Sequence, residues 1–170
     1  MGARRRDGSS YACAVSAGLG LDGKLRLSGT DTPWRRGGGT GLATDILIAE
    51  DEPSILEALS FVLLRAGWTI ASVTDGEAVM GAVRAERPRV LVLDIMLPKR
   101  SGFEVLKQIR SDPATSKLRV LVLTAKGQQQ DRRIAEELGA DSFVTKPYAN
   151  ADVVSAVRAL LDEPAAPAKP

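Results

Sequence analysis

The run VLVL occurs twice in the chain, at residues 90–93 and at residues 120–123, and both copies are apolar without alternation. A strand with one face in water alternates between apolar and polar residues, whereas a strand covered on both faces does not. Both runs are short and stop directly before a polar residue, which favours strands over a buried helix. They therefore predict two inner strands of a parallel sheet that has helices on both faces.

Three further apolar segments and five helical segments alternate with these runs. In the first helical segment, Ile55, Leu59 and Leu63 recur at the spacing of one buried stripe. Five β-α units in series predict a doubly wound α/β domain with right-handed crossovers. The other predicted strands are 46–49, 69–73 and 142–145, and the predicted helices are 53–66, 76–85, 102–111, 128–138 and 149–161.

Composition divides the chain into three parts. Residues 1–43 keep no period and are dense in glycine, so we interpret them as a disordered Gly/Arg-rich leader or as sequence upstream of a misassigned start. Residues 44–162 form the predicted folded domain, and residues 163–170 a flexible Pro/Ala-rich tail. The basic character belongs to the leader, because residues 1–44 carry seven Lys/Arg against three Asp/Glu, whereas residues 45–162 carry fifteen against seventeen.

The cysteine and histidine counts restrict the chemistry. The single cysteine, Cys13, cannot form an intramolecular disulfide, and we expect a cytoplasmic location. The absence of histidine excludes Ser-His-Asp catalysis, histidine-ligated metals and a phosphohistidine of the protein's own. A phosphoryl group would have to come from a partner or a small molecule. No apolar run approaches the ~20 residues that span a bilayer, so we predict no membrane contact.

Polar residues follow four of the five predicted strands. They are Glu50 and Asp51, Asp94, Thr124 and Lys146, and the carboxyl ends of parallel strands lie at one edge of the sheet. Carboxylates about 4 Å apart repel by about 4 kcal/mol per pair at an effective dielectric of ~20, and Mg²⁺ relieves this repulsion while keeping sites for phosphate oxygens. The pattern predicts a Mg²⁺ site with Asp94 as nucleophile, assisted by the lysine ammonium and the threonine hydroxyl.

Four motifs at these strand ends carry a resemblance to a known family. They are IAEDEP at 48–53, LDIMLP at 93–98, LTAK at 123–126 and FVTKPY at 143–148. Their residues and order resemble the receiver domain of bacterial two-component response regulators, over about residues 44–162. The resemblance implies a flavodoxin-like, five-stranded parallel sheet of order 2-1-3-4-5 and a stand-alone, CheY-like phosphorylation switch.

The resemblance also implies a role for the acidic residues. Asp94 would be the phosphoryl acceptor. Glu50, Asp51 and Asp94, together with the backbone carbonyl of Met96, would bind Mg²⁺.

Other matching positions would bind the phosphoryl group or respond to it. Thr124, the backbone amide of Ala125 and Lys146 would contact the phosphoryl oxygens. Thr124 and Phe143 would form the switch pair, although a core aromatic on a buried strand is an equally good interpretation of Phe143. Lys146 and Pro147 would be joined by a cis peptide bond, for which proline has a small penalty.

The resemblance names the type of partner but not its identity. It implies a sensor histidine kinase or a histidine phosphotransfer protein as phosphodonor, and a phosphorylation-dependent dimer through helix 4, strand 5 and helix 5. Because only about nine residues follow Leu161, we predict no direct DNA binding and an output through an unknown downstream protein.

Two other functions remain open at this point. A phosphatase of the haloacid-dehalogenase type also uses a strand-end aspartate, threonine, lysine and an acidic pair. However, its acidic pair comes last in the chain, and its acid/base aspartate would stand where this chain has Met96. The second alternative is a receiver-like binding module that does not depend on phosphorylation. We expect no turnover of a separate substrate.

Overall fold

The sheet is parallel throughout, with five strands each followed by a helix. A computed structural model describes residues 44–125 and 129–162. The strands are β1 (Ile46–Ala49), β2 (Ile70–Val73), β3 (Val90–Asp94), β4 (Arg119–Ala125) and β5 (Ser142–Lys146). The helices are α1 (Pro53–Arg65), α2 (Gly76–Glu86), α3 (Gly102–Ser111), α4 (Gln129–Glu137) and α5 (Asn150–Asp162).

The strand order is β2-β1-β3-β4-β5, which confirms the predicted doubly wound, flavodoxin-like fold. The largest difference from the predicted bounds is in β4, which begins at Arg119 and ends at Ala125. The polar Arg119 belongs to the strand because it pairs in register with Val90 of β3, while Ala125 pairs with Lys146 of β5. The predicted leader and tail lie outside the described residues.

The inner strands send alternate side chains to two separate cores, as their unbroken apolar runs require. Leu91 and Leu93 of β3 pack in one core with residues of α2 and α3. Val90 and Val92 of the same strand pack in the other core with residues of α1 and α5. All four side chains are completely buried, because helices cover β3 on both faces. The strand ends at Asp94.

One arginine of α3 bonds to several groups at the edge of the sheet opposite Asp94. Arg110 of α3 donates to the carbonyl oxygens of Ser116 (3.0 Å), Leu118 (2.8 Å) and Gly139 (2.8 Å). Its remaining amine pairs with Asp141 at 2.7 Å. Asp141 also accepts a hydrogen bond from the amide of Val120 in β4 at 2.8 Å. Arg110 therefore ties α3 to the connections that precede β4 and β5.

We expect Arg110→Ala to lower the free energy of unfolding by about 3 kcal/mol, because it removes several charge-assisted hydrogen bonds and leaves Asp141 without this partner. Urea denaturation would measure the loss. Arg84→Ala is the control, since Arg84 pairs with Asp112 on the surface and exposed pairs contribute little. Equal effects of the two substitutions would contradict the prediction.

Candidate functional site

Three carboxylates meet at the carboxyl ends of β1 and β3. Glu50 and Asp94 are 1% and 5% exposed, whereas Asp51 is exposed. One oxygen from each of the three lies within 4.8 Å of the others. The two strands are neighbours, with Ala49 in register with Leu93, so the residues that follow them arrive side by side. The cluster is therefore a direct result of the strand order.

Lys146 joins the two buried carboxylates from the end of β5. Its Nζ atom donates to Asp94 Oδ2 at 2.6 Å and to Glu50 Oε2 at 2.8 Å. The other oxygens are also bonded, because Asp94 Oδ1 accepts from the amide of Met96 (3.1 Å) and Glu50 Oε1 from the amide of Glu52 (3.3 Å). A single ammonium thus offsets part of the charge of three acids.

The pKa values of Glu50 and Lys146 reflect the same arrangement. Burial raises the pKa of Glu50, and the nearby Asp94 charge adds to this, although the hydrogen bond from Lys146 opposes both. Burial alone would lower the pKa of Lys146, but its hydrogen bonds to Asp94 and Glu50 outweigh burial and raise that pKa. The ammonium consequently stays charged beside the acids at neutral pH.

The residues predicted to contact a phosphoryl group lie on the two strands beyond β3, at the same edge of the sheet. Thr124 is buried near the end of β4, one residue beyond Leu123, the register partner of Asp94. Ala125 pairs with Lys146 in the next register position. The side chain of Met96 is 72% exposed and projects away from the core, while its backbone amide faces Asp94.

Phe143 of β5 is half-buried and packs against the core. The guanidinium of Arg132 in α4 lies over its ring, 4.7 Å from the centroid, and pairs with Glu136 at 3.0 Å. Both interpretations of Phe143, as switch residue and as core aromatic, are compatible with this position. The Lys146–Pro147 bond is cis, as the resemblance implies.

Two residues in the segment that follows β3 were not predicted from the sequence. The amide of Gly102, the first residue of α3, donates to the carbonyl of Ile95 at 2.9 Å. A Cβ atom on Gly102 would lie 2.3 Å from the carbonyl oxygen of Asp94, so only glycine allows this approach. Lys99 pairs with Asp75, the residue that caps α2, at 3.0 Å. The capping motif SGFE at 101–104 could have located the start of α3, but not its distance from Asp94.

The donor set suits a hard divalent cation. All three side chains offer oxygen, one acid is open to solvent, and two are buried with a single ammonium between them. Mg²⁺ binds through one or two carboxylates and retains waters that phosphate oxygens can replace. Glu50, Asp51 and Asp94 could therefore hold Mg²⁺ at this edge.

Within residues 44–125 and 129–162, none of the helices has the length and apolar character needed to cross a bilayer.

Comparison with known proteins gives the same type of domain. Residues 46–158 match the family model described as the response regulator receiver domain. The chain is 42% identical over 121 residues to the probable transcriptional regulatory protein TcrX of Mycobacterium tuberculosis, covering 71% of this chain and 51% of that protein. It is 40% identical over 116 residues to the alkaline phosphatase synthesis transcriptional regulatory protein PhoP of Bacillus subtilis, covering 68% and 48%.

Solved structures agree on the fold. A putative response regulator from Chloroflexus aurantiacus superposes with a TM-score of 0.68 at 29% identity, covering 71% of this chain and 98% of that one. The receiver domain of a sensor histidine kinase from Pseudomonas aeruginosa has a TM-score of 0.65 at 22% identity, covering 71% and 99%, and its structure has a magnesium ion coordinated in the active site cleft.

The relatives correct one prediction. We predicted no direct DNA binding because few residues follow Leu161, and that inference was wrong. The chain spans about half the length of the curated relatives that it matches, and these are named as transcriptional regulators. A further relative, from Synechocystis, is named as the DNA-binding dual master transcriptional regulator RpaA and is 39% identical, with 68% of this chain and 48% of that protein covered. The end of a receiver domain says nothing about what its output contacts.

Proposed function

The chain belongs to the response regulator receiver domain family, and we propose that it is a phosphorylation switch whose acceptor is Asp94. The observation that carries the proposal is the ammonium of Lys146, bonded to both Glu50 and Asp94 in a cleft that also holds Asp51. A carboxylate with a cation bound beside it can accept phosphate without adding uncompensated charge to a buried site.

The proposed step is a displacement at phosphorus. A carboxylate oxygen of Asp94 forms a P–O bond as the bond between phosphorus and the donor breaks, which gives an acyl phosphate and the free donor. Lys146 moves its hydrogen bond from Asp94 Oδ2 to a phosphoryl oxygen. Thr124 and the backbone amide of Ala125 donate to the remaining oxygens. A bound Mg²⁺ would supply the positive charge that lets the phosphoryl group approach the acids.

The phosphodonor and the output are parts of the same proposal. We propose a sensor histidine kinase or a histidine phosphotransfer protein as donor, since the chain has no histidine of its own. We also propose that the output is control of transcription through a DNA-binding module, which the names of the relatives support. Turnover of a separate substrate is not part of the proposal, and the cytoplasmic location stays a prediction.

The test is phosphorylation of the purified chain by acetyl phosphate. With Mg²⁺ present, we expect one phosphoryl adduct by intact mass, which peptide mapping places on Asp94. Excess EDTA should abolish the adduct, because the acids then repel the donor. Asp94→Asn should abolish it too, since an amide cannot form the acyl phosphate.

Asp75→Asn is the matched control, because Asp75 is also an aspartate paired with a lysine, and it lies outside the acidic cleft. This variant should be phosphorylated at the wild-type rate. An adduct that persists in Asp94→Asn would contradict the proposed acceptor. Failure of both acetyl phosphate and a phosphorylated histidine kinase to modify the wild-type chain would favour the phosphorylation-independent binding module.

A further inference from the structure

A second concentration of charge lies at the edge of the sheet opposite Asp94. A recess of about 690 Å³ opens where α2 and α5 end and where β3 and β4 begin. Its lining includes five of the fifteen lysines and arginines of residues 45–162 and, among the residues that the structure describes, no carboxylate. The cations are Arg84, Arg87, Arg89, Lys117 and Arg119.

Part of this charge is already balanced by neighbours. Arg84 contacts Asp112 at 3.1 Å, and Arg89 contacts Asp45 at 3.6 Å while donating to the carbonyl of Leu161 at 3.1 Å. Arg119 pairs with Asp141 at 3.5 Å. These three arginines therefore have acidic partners, and the remaining two cations of the lining are Arg87 and Lys117.

Arg87 and Lys117 have no ion pair and no side-chain hydrogen bond within the described part of the chain, and both are exposed. They come from two different connections, one leading to β3 and the other to β4. Both connections line the same recess. Two unpaired cations that face one concave space form a natural receptor for an anion.

The backbone at Arg87 supports a role for its side chain. Arg87 is the residue that follows α2, with φ 49° and ψ 53°, in the left-handed region that glycine adopts most easily. A residue with a Cβ atom there is strained relative to glycine. Stability alone would favour glycine at this position, and an arginine places a guanidinium at the recess instead.

The recess also has an apolar part, formed by residues that include Val83, Leu118 and Leu160. Its volume lies within the range of pockets that take small organic ligands. Guanidinium groups bind phosphate oxygens in pairs and stack on planar rings. We propose that this recess binds a nucleotide, with the polyphosphate on Arg87 and Lys117 and the base against the apolar part. A concave site suits a small ligand better than the regular line of phosphates of a nucleic acid duplex.

Calorimetric titration of the full chain with ATP tests the proposal. The titration is done in EDTA, so that the acidic cleft has no divalent cation with which to bind phosphate. We expect saturable binding of one ATP per chain. Arg87→Gly and Lys117→Gln should each weaken it by about tenfold, the loss of one charge-assisted hydrogen bond. The melting temperature of Arg87→Gly should equal or exceed the wild-type value, which separates lost binding from lost folding.

Two controls separate the recess from other sources of charge. Lys107→Gln removes an exposed lysine on α3 that does not line the recess, and it should leave the affinity for ATP unchanged. Asp94→Asn should also bind ATP as the wild type does, so failure of the phosphorylation proposal would not affect this one.

Several outcomes would overturn the proposal. One is the absence of saturable binding, and another is an affinity that Arg87→Gly and Lys117→Gln leave unchanged, which would place the bound anion on the basic leader. Equal binding of inorganic tripolyphosphate would exclude the nucleotide assignment. Tighter binding of a DNA oligonucleotide than of ATP would assign the recess to nucleic acid instead.

Discussion

Replacing Lys146 by methionine should lower the free energy of unfolding by about 2–3 kcal/mol without divalent cations, and slow phosphorylation of Asp94 by about a hundredfold. Methionine keeps the length of the side chain but removes the ammonium that Asp94 and Glu50 share at 2.6 and 2.8 Å. Breaking a fully buried pair costs about 3–5 kcal/mol. The expected value is smaller because the lysine side chain is 23% exposed and water screens part of the interaction.

Magnesium and pH should both modify this loss in a defined direction. Mg²⁺ bound by the three acids would replace the missing charge, so it should raise the melting temperature of Lys146→Met more than that of the wild type. Without the ammonium, burial raises the pKa of Glu50 with no hydrogen bond from Lys146 to oppose it. A raised carboxyl pKa destabilises the folded state only where the group is ionised. The difference between variant and wild type should therefore be full near neutral pH and fade as the pH falls toward about 4.

Denaturation in EDTA and in Mg²⁺, together with the acetyl phosphate assay, would measure these effects. Lys99→Met is the control, because Lys99 also pairs with an aspartate, Asp75, but at the surface. It should change neither stability nor phosphorylation appreciably. If Lys146→Met were as stable in EDTA as the wild type, the two buried carboxylates would not depend on the ammonium.

The fold was predictable from the sequence because its main signal is local. Unbroken apolar runs such as 90–93 identify strands covered on both faces, and short β-α units leave few arrangements of a parallel sheet. The bounds of β4 were less predictable. From its polar side chain, Arg119 was expected to lie outside the strand. It is part of the sheet because it pairs in register with Val90, and the carboxylate of Asp141 lies near its guanidinium.

The candidate site was predictable to the level of which residues meet, since the carboxyl ends of parallel strands share one edge. What each atom contacts was not predictable. Nothing in the sequence indicates that Lys146 bonds two acids at once, or that Arg132 lies over Phe143. The basic recess was also not predicted. Arg87 and Lys117 are thirty positions apart in the sequence, and no periodic pattern connects them.

Gly102→Ala should lower the free energy of unfolding by about 3 kcal/mol and slow phosphorylation by at least tenfold. The added Cβ atom would lie 2.3 Å from the carbonyl oxygen of Asp94 and 2.8 Å from the Cα atom of Ile95. Both are backbone atoms, so no side-chain rotation relieves the contact, and either α3 or the end of β3 must move. A shift of the acceptor by even 1 Å is enough to lower the rate, because the reaction depends on its position relative to the other groups.

Gly81→Ala makes the same chemical change where there is room for it. Gly81 lies within α2, and a Cβ atom there would have no neighbour within 4 Å among the described residues. This variant should gain about 0.5–1 kcal/mol, because alanine loses less backbone entropy than glycine when a helix forms. The two glycines should therefore respond with opposite signs in one denaturation experiment. If Gly102→Ala proved as stable and as readily phosphorylated as the wild type, α3 would not hold Asp94 in place.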